Sequence, residues 1–126
     1  MDKGWIIEDF AAALDRLEEA LRAPAESDLM RSGTIQYFEF CSELAWKSIR
    51  LCAEDAGLPP CLSPKACLQV AFSQGGIDEE RLWLDMLEAR NRMTHAYSAA
   101  SPLLIYTRIG GYLPPLKSLL EKTKTL

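Results

Sequence analysis

Residues 28–56 read DLMRSGTIQYFEFCSELAWKSIRLCAEDA, and no proline interrupts them. Apolar side chains recur there every three or four residues, which is the spacing of one face of an α-helix. They form two adjacent stripes: Ile35, Phe38, Cys41, Ala45, Ile49 and Cys52 in the first, and Tyr37, Phe40, Leu44, Ser48 and Leu51 in the second. An apolar face this wide predicts a long central helix with neighbours on more than one side.

Further helical patterns lie on both sides of this segment. Residues 6–22 carry one apolar stripe, which Pro24 ends because proline lacks an amide donor. Ser63-Pro64 and Ser101-Pro102 each combine a capping hydroxyl with a proline that suits a first helical turn. Ser27 or Asp28 could cap the long helix, and Gly57 is expected to end it.

The second half of the chain divides into three more segments. Gly75-Gly76 ends a short helix, and Asp78 offers an N-cap for a helix from Glu79 to Tyr97. The last segment keeps a helical period but contains Gly110-Gly111 and Pro114-Pro115, so we expect a kink or break there. No strand-like alternation occurs. The sequence therefore predicts an all-α fold, an up-and-down antiparallel bundle of four to five helices in a single domain spanning residues 1–126.

Composition and net charge argue against several classes of protein. The chain has 126 residues, a formal net charge of −4, a pI near 5.0 and 48% apolar residues. Disorder is not expected at that apolar content, and a nonspecific duplex-DNA binder would carry the opposite charge balance. No apolar run has membrane-spanning length, and the N-terminus lacks a signal-peptide pattern. We therefore expect a cytoplasmic protein with no membrane partner.

The four cysteines form no CxxC pair, and His95 is the only histidine that could complete a mixed zinc site. We expect reduced thiols, with Cys41 and Cys52 buried along the long helix. Glu39 and Glu43 lie four apart, but no second carboxylate-histidine helix completes a di-iron pattern. No metal or cofactor is predicted.

Residues 88–97, EARNRMTHAY, hold the most informative polar cluster. Arg90 could bind a phosphate through its bidentate fork, and His95 could transfer a proton near neutral pH. Because RNA cleavage without metal needs both an acid and a base, two copies of this helix would have to share a cleft. The alternative is structural: Arg90 and Arg92 would form a solvated face or ion pairs, and Tyr97 would border the core.

Three stretches together resemble the HEPN-type nucleotidyltransferase substrate-binding family. They are TIQYFEFCSELAWKSIR at 34–50, LSPKACLQVAFSQGGI at 62–77 and WLDMLEARNRMTHAY at 83–97. The resemblance extends from about Thr34 to Tyr112. It implies a homodimer and a minimal nucleotidyltransferase as partner.

The resemblance also implies roles for particular residues. In related toxin–antitoxin modules the helical chain is a ribonuclease toxin, and Arg90, Asn91 and His95 match its catalytic pattern. The nucleotidyltransferase neutralises such a toxin by attaching AMP to a tyrosine, whose position Tyr97 matches. RNA is then a candidate ligand. Ser98 stands where the family often has an acidic residue.

Two other functions stay open. The chain could be a noncatalytic substrate-binding or scaffolding subunit of the nucleotidyltransferase, or a plain bundle without partner or chemistry. Four aromatic residues, Phe38, Phe40, Trp46 and Trp83, are expected in the core or at a dimer seam. Lys47 and Arg50 are expected on the exposed side of the long helix, where they would form a basic rim if that helix borders the cleft.

Overall fold

A computed structural model describes residues 4–23, 26–95 and 101–124, with the side chains of all of these except 92–95, 101–104 and 124. The described residues form five α-helices and no strand. The helices are α1 Gly4–Arg22, α2 Asp28–Asp55, α3 Pro64–Ser73, α4 Glu80–His95 and α5 Ser101–Lys124. The predicted all-α antiparallel bundle is confirmed.

Helix α2 is the centre of the bundle, since it packs against each of the other four helices. Its Phe38 ring stacks on Tyr112 of α5, with 5.4 Å between ring centroids. The Tyr112 hydroxyl donates a 2.7 Å hydrogen bond to Asp85 of α4, so one buried tyrosine ties three helices together. Burial, reinforced by the Asp85 carboxylate, raises the pKa of Tyr112 to about 12.

Serine caps begin two of the helices as predicted. The Ser63 hydroxyl accepts the Ala66 amide at 3.1 Å, and Pro64 occupies the first turn of α3. At the start of α2, the Ser27 hydroxyl accepts the Met30 amide at 3.2 Å. The capping residue there is Ser27, one of the two candidates, because the Asp28 carboxylate pairs with Arg31.

Glycines end α2 and α3, also as predicted. Gly57 and Gly75 have φ angles of +76° and +77°, a conformation that side chains with a Cβ rarely adopt. The predicted Asp78 cap is absent, and α4 begins at Glu80. Asp78 lies instead beside the Lys122 ammonium, at 3.5 Å, and Lys122 also donates to the Gly75 carbonyl at 3.3 Å.

The predicted break in α5 is wrong, because the helix is continuous from Ser101 to Lys124. Buried side chains lie on both sides of Pro114-Pro115, with Tyr112 before them and Leu116 and Leu119 after them. These buried side chains keep helical spacing across the two prolines. Tertiary packing therefore outweighs the loss of two amide donors.

The prediction of four reduced cysteines is also wrong. Cys61 and Cys67 form a disulfide, with their Cα atoms 5.1 Å apart and both side chains buried. The start of α3 brings them together, because Cys67 follows the Ser63 cap by one helical turn. Cys41 is a buried thiol as predicted, and burial raises its pKa to about 12. Cys52 is a half-buried thiol.

Within the described ranges, no helix has both the length and the hydropathy that a membrane span requires.

Candidate functional site

The candidate site lies where α4 crosses α2. Arg90 of α4 reaches α2 and donates through Nη2 to the Glu43 carboxylate at 2.9 Å. The two side chains are 31% and 35% exposed, so solvent screens this ion pair only in part. The pair fixes the guanidinium of the predicted phosphate-binding arginine against the central helix.

Glu43 also contacts two residues of its own helix. Its Oε2 accepts the Trp46 indole N–H at 3.2 Å, and its Oε1 lies 3.4 Å from the Lys47 ammonium. These partners lie three and four residues farther along α2, a spacing that places side chains on one face of a helix. A single carboxylate therefore holds two cations and an indole ring in one surface cluster.

Arg50 extends this surface by one more turn of α2. Its guanidinium carbon lies 5.8 Å from the centroid of the Trp46 ring, in cation–π range. Its Nε atom is buried and has no hydrogen-bond partner in the structure as described. Lys47 and Arg50 are half-buried, and a basic rim at the edge of a cleft stays a prediction.

Of the four predicted site residues, the structure describes the side chains of Arg90 and Asn91. The exposed Asn91 accepts a 3.3 Å hydrogen bond from Nη1 of Arg90, so these two act as one unit. His95 is the last residue of α4, and its side chain lies outside the described set. Tyr97 lies outside the described residues. The structure thus brings Arg90 and Asn91 together and leaves the roles of all four as predictions.

The four conspicuous aromatic residues have different environments. Phe38 and Trp83 are buried in the core, as predicted, and Trp46 packs against the core from its edge. Phe40 is 49% exposed, so it is no core residue, and the dimer seam stays the prediction for it.

Sequence reasoning missed the part that Glu43 plays. The spacing of Glu43, Trp46 and Lys47 indicates local pairing on α2, but nothing local joins Glu43 to Arg90, which lies 47 residues away. The pairing follows from the way α2 and α4 pack. Among the described side chains, no group of three or more His, Cys, Asp or Glu residues could hold a metal ion. Arg90 and Lys47 beside Glu43, with Arg50 farther along α2, form a basic surface whose side chains are suited to an oxyanion.

Sequence comparison assigns the chain to a family. It belongs to the family described as nucleotidyltransferase substrate binding protein like, whose model matches residues 6–125. The search of curated proteins gave no match.

Two solved structures share the fold. One is a protein from Thermus thermophilus, with a TM-score of 0.82, 28% identity and coverage of 90% of this chain and 98% of that protein. The other is a Haemophilus influenzae protein described as revealing the fold of a substrate-binding domain of a nucleotidyltransferase. It has a TM-score of 0.81 and 26% identity, and the match covers 94% of this chain and 98% of that protein.

Proposed function

We propose that this chain is the substrate-binding subunit of a separate nucleotidyltransferase. The family match over residues 6–125 carries the proposal. The surface around Arg90 supports it, because an arginine held against Glu43 and Asn91 is oriented for binding. A cytoplasmic location follows as part of the same proposal.

The test uses the nucleotidyltransferase encoded nearest to this gene. The two proteins are co-expressed, and we expect them to purify as one complex. The purified complex, given ATP labelled in its α-phosphate and a cell extract, should transfer more label than the nucleotidyltransferase alone. Arg90→Ala should lower this gain, whereas Arg81→Ala, an exposed arginine on the same helix, should keep it. Absence of both complex and gain would contradict the proposal.

The Arg90–Asn91 hydrogen bond favours a second candidate, a metal-independent ribonuclease toxin. Arg90 would hold the phosphate, Asn91 would orient it, and His95 would transfer a proton. Two copies in a homodimer would supply the acid and the base. This second candidate function is the HEPN-type toxin–antitoxin role.

Incubation of RNA with the purified chain separates the two functions. A ribonuclease would cleave RNA as wild type and as Arg81→Ala, and it would lose this activity as Arg90→Ala or His95→Ala. A binding subunit would leave RNA intact in all four samples. Growth after expression without the partner gives a second readout, since only a toxin would arrest it.

Tyr97 is the proposed modification site in the toxin module. Its hydroxyl oxygen would attack the α-phosphate of ATP, forming a phosphodiester to AMP, with pyrophosphate as leaving group. Mass spectrometry after incubation with the nucleotidyltransferase and ATP should then show one AMP adduct on wild type and none on Tyr97→Phe. An adduct that persists in Tyr97→Phe would exclude Tyr97 as the acceptor.

A further inference from the structure

Helices α3 and α5 leave part of the central helix uncovered. Within the described ranges, both pack on α2, but neither packs on the other. A cavity of about 170 Å³ lies between the three helices, at the C-terminal end of α2. Ala53 of α2 and Ala71 of α3 both line it, and side chains this short leave the space between the helices unfilled.

The walls of this cavity are largely apolar. They also include Ile49 of α2, Val70 of α3 and Leu119 of α5. An ordered water needs several polar partners, whereas an engineered apolar cavity of about 150 Å³ binds benzene. A ring or a short branched chain that enters this cavity therefore gains by burying apolar surface, and the water that it displaces loses few hydrogen bonds.

A single cation lies at this apolar cavity. Among the described residues that line it, Lys122 of α5 is the only one with a charged side chain. Its ammonium lies 3.3 Å from the Gly75 carbonyl and 3.5 Å from the Asp78 carboxylate, which is 79% exposed. Charge-assisted hydrogen bonds are typically about 2.7–2.9 Å long, so a carboxylate in the cavity can approach the ammonium more closely than Asp78 does. The exposed Gln74 also lines the cavity and offers an amide donor.

We propose that the cavity between α2, α3 and α5 binds a small carboxylic acid with an aromatic or branched apolar body, whose carboxylate pairs with Lys122. Charge complementarity selects this class of ligand, since the apolar walls take the body and the one cation takes the head. Neither Glu43 nor Arg90 lines the cavity, so the site goes beyond the proposed function and does not depend on it.

Titration of the purified chain, followed by NMR of its backbone amides, tests the proposal with four probes: phenylacetate, 2-phenylethanol, phenethylammonium and acetate. We expect phenylacetate to bind most tightly and the neutral alcohol more weakly. The ammonium and acetate should not bind at the same concentrations, because each lacks either the negative charge or the ring.

Lys122→Met should weaken phenylacetate binding about tenfold, because a hydrogen bond to a charged group is lost, and it should leave 2-phenylethanol binding unchanged. The control Lys65→Met removes the same charge from an exposed position on α3, and it should bind like wild type.

Cys52 gives a second readout, because its half-buried thiol lines the cavity. Phenylacetate should slow the alkylation of Cys52 by iodoacetamide, measured by mass spectrometry, and acetate should not. Val70→Phe adds a ring to the cavity wall and should abolish both this protection and the binding of phenylacetate.

Three outcomes would overturn the proposal: no binding of phenylacetate, equal loss in Lys122→Met and Lys65→Met, or equal affinity for phenylacetate and phenethylammonium. Protection of Cys52 only in the presence of the nucleotidyltransferase would also overturn it, because the cavity would then belong to a protein interface.

Discussion

Glu43 shows how one side chain can decide the charge of a surface. It lies within 3.4 Å of Lys47 and 2.9 Å of Arg90, and it holds the Trp46 indole as well. The same carboxylate therefore orients the cations and weakens their pull on an anion. The two effects can be separated, because glutamine keeps an acceptor oxygen but has no charge.

We expect Glu43→Gln to tighten the binding of tripolyphosphate, a probe for an oxyanion beside Arg90, by about threefold or more, because a unit charge at about 4 Å contributes about 1 kcal/mol even in bulk water and more at a partly buried site. Calorimetric titration at low salt measures the change. Glu39→Gln, one turn earlier on α2, is the matched control and should change affinity less. Weaker binding in Glu43→Gln would show that orientation outweighs charge.

Tyr112→Phe should lower the free energy of unfolding by about 1–2 kcal/mol, because it removes the hydrogen bond to a carboxylate and leaves Asp85 without it. Urea denaturation measures the loss. Tyr106→Phe, a half-buried tyrosine on the same helix, serves as control and should cost less.

The Tyr112 effect should also depend on pH. Its pKa is raised from 10.0 to about 12, so the folded protein keeps this proton after the unfolded chain loses it. The stabilisation is therefore complete below pH 10 and falls as the pH rises toward 12. The gap between wild type and Tyr112→Phe should narrow over that range, and a gap that widens there would contradict the assignment.

At the scale of the helices, replacing glycine by alanine is expected to have opposite effects on stability at two positions. Gly33 lies inside α2, and a Cβ added there would meet no atom within 4 Å. Gly75 has a φ angle of +77° at the end of α3, where a Cβ introduces strain. We expect Gly33→Ala to stabilise the protein by about 0.5–1 kcal/mol and Gly75→Ala to destabilise it by about 1 kcal/mol. Thermal melting compares the two, and the same sign for both would contradict this account.

The Cys61–Cys67 disulfide links the α2–α3 connection covalently to the first turn of α3. Loop closure over so few residues is worth about 2 kcal/mol in the chain-entropy description. Dithiothreitol should therefore lower the melting temperature of wild type and leave Cys61→Ala/Cys67→Ala unchanged. If the reductant shifts both proteins equally, the disulfide is not the cause.

Both ends of α2 and of α3 were predictable because their signals are local. Ser27, Ser63, Gly57 and Gly75 act through backbone atoms within a few residues, so the sequence displays both partners. The α5 prediction failed because Pro114-Pro115 is also a local signal, and burial of distant surfaces overrides it. The Arg90–Glu43 pair could not be predicted, since only the packed bundle brings two segments 47 residues apart together.

At the scale of the whole molecule, we predict self-association. The homodimer stays a prediction, and the ribonuclease candidate depends on it because one histidine cannot serve as acid and base together. Light scattering should give a mass of about twice 14.1 kDa. A mass of one chain at micromolar concentration would remove the shared cleft, while the binding-subunit function would stand.

Because α2 packs against four helices and also bears Glu43, Lys47 and Arg50, the surface cluster and the core share one rigid element. A small molecule seated between α2 and α4 would fasten the two and raise the melting temperature by mass action, in proportion to the logarithm of its concentration above Kd. Collections of metabolites could therefore be screened by differential scanning fluorimetry, with no activity assay and no knowledge of the acceptor.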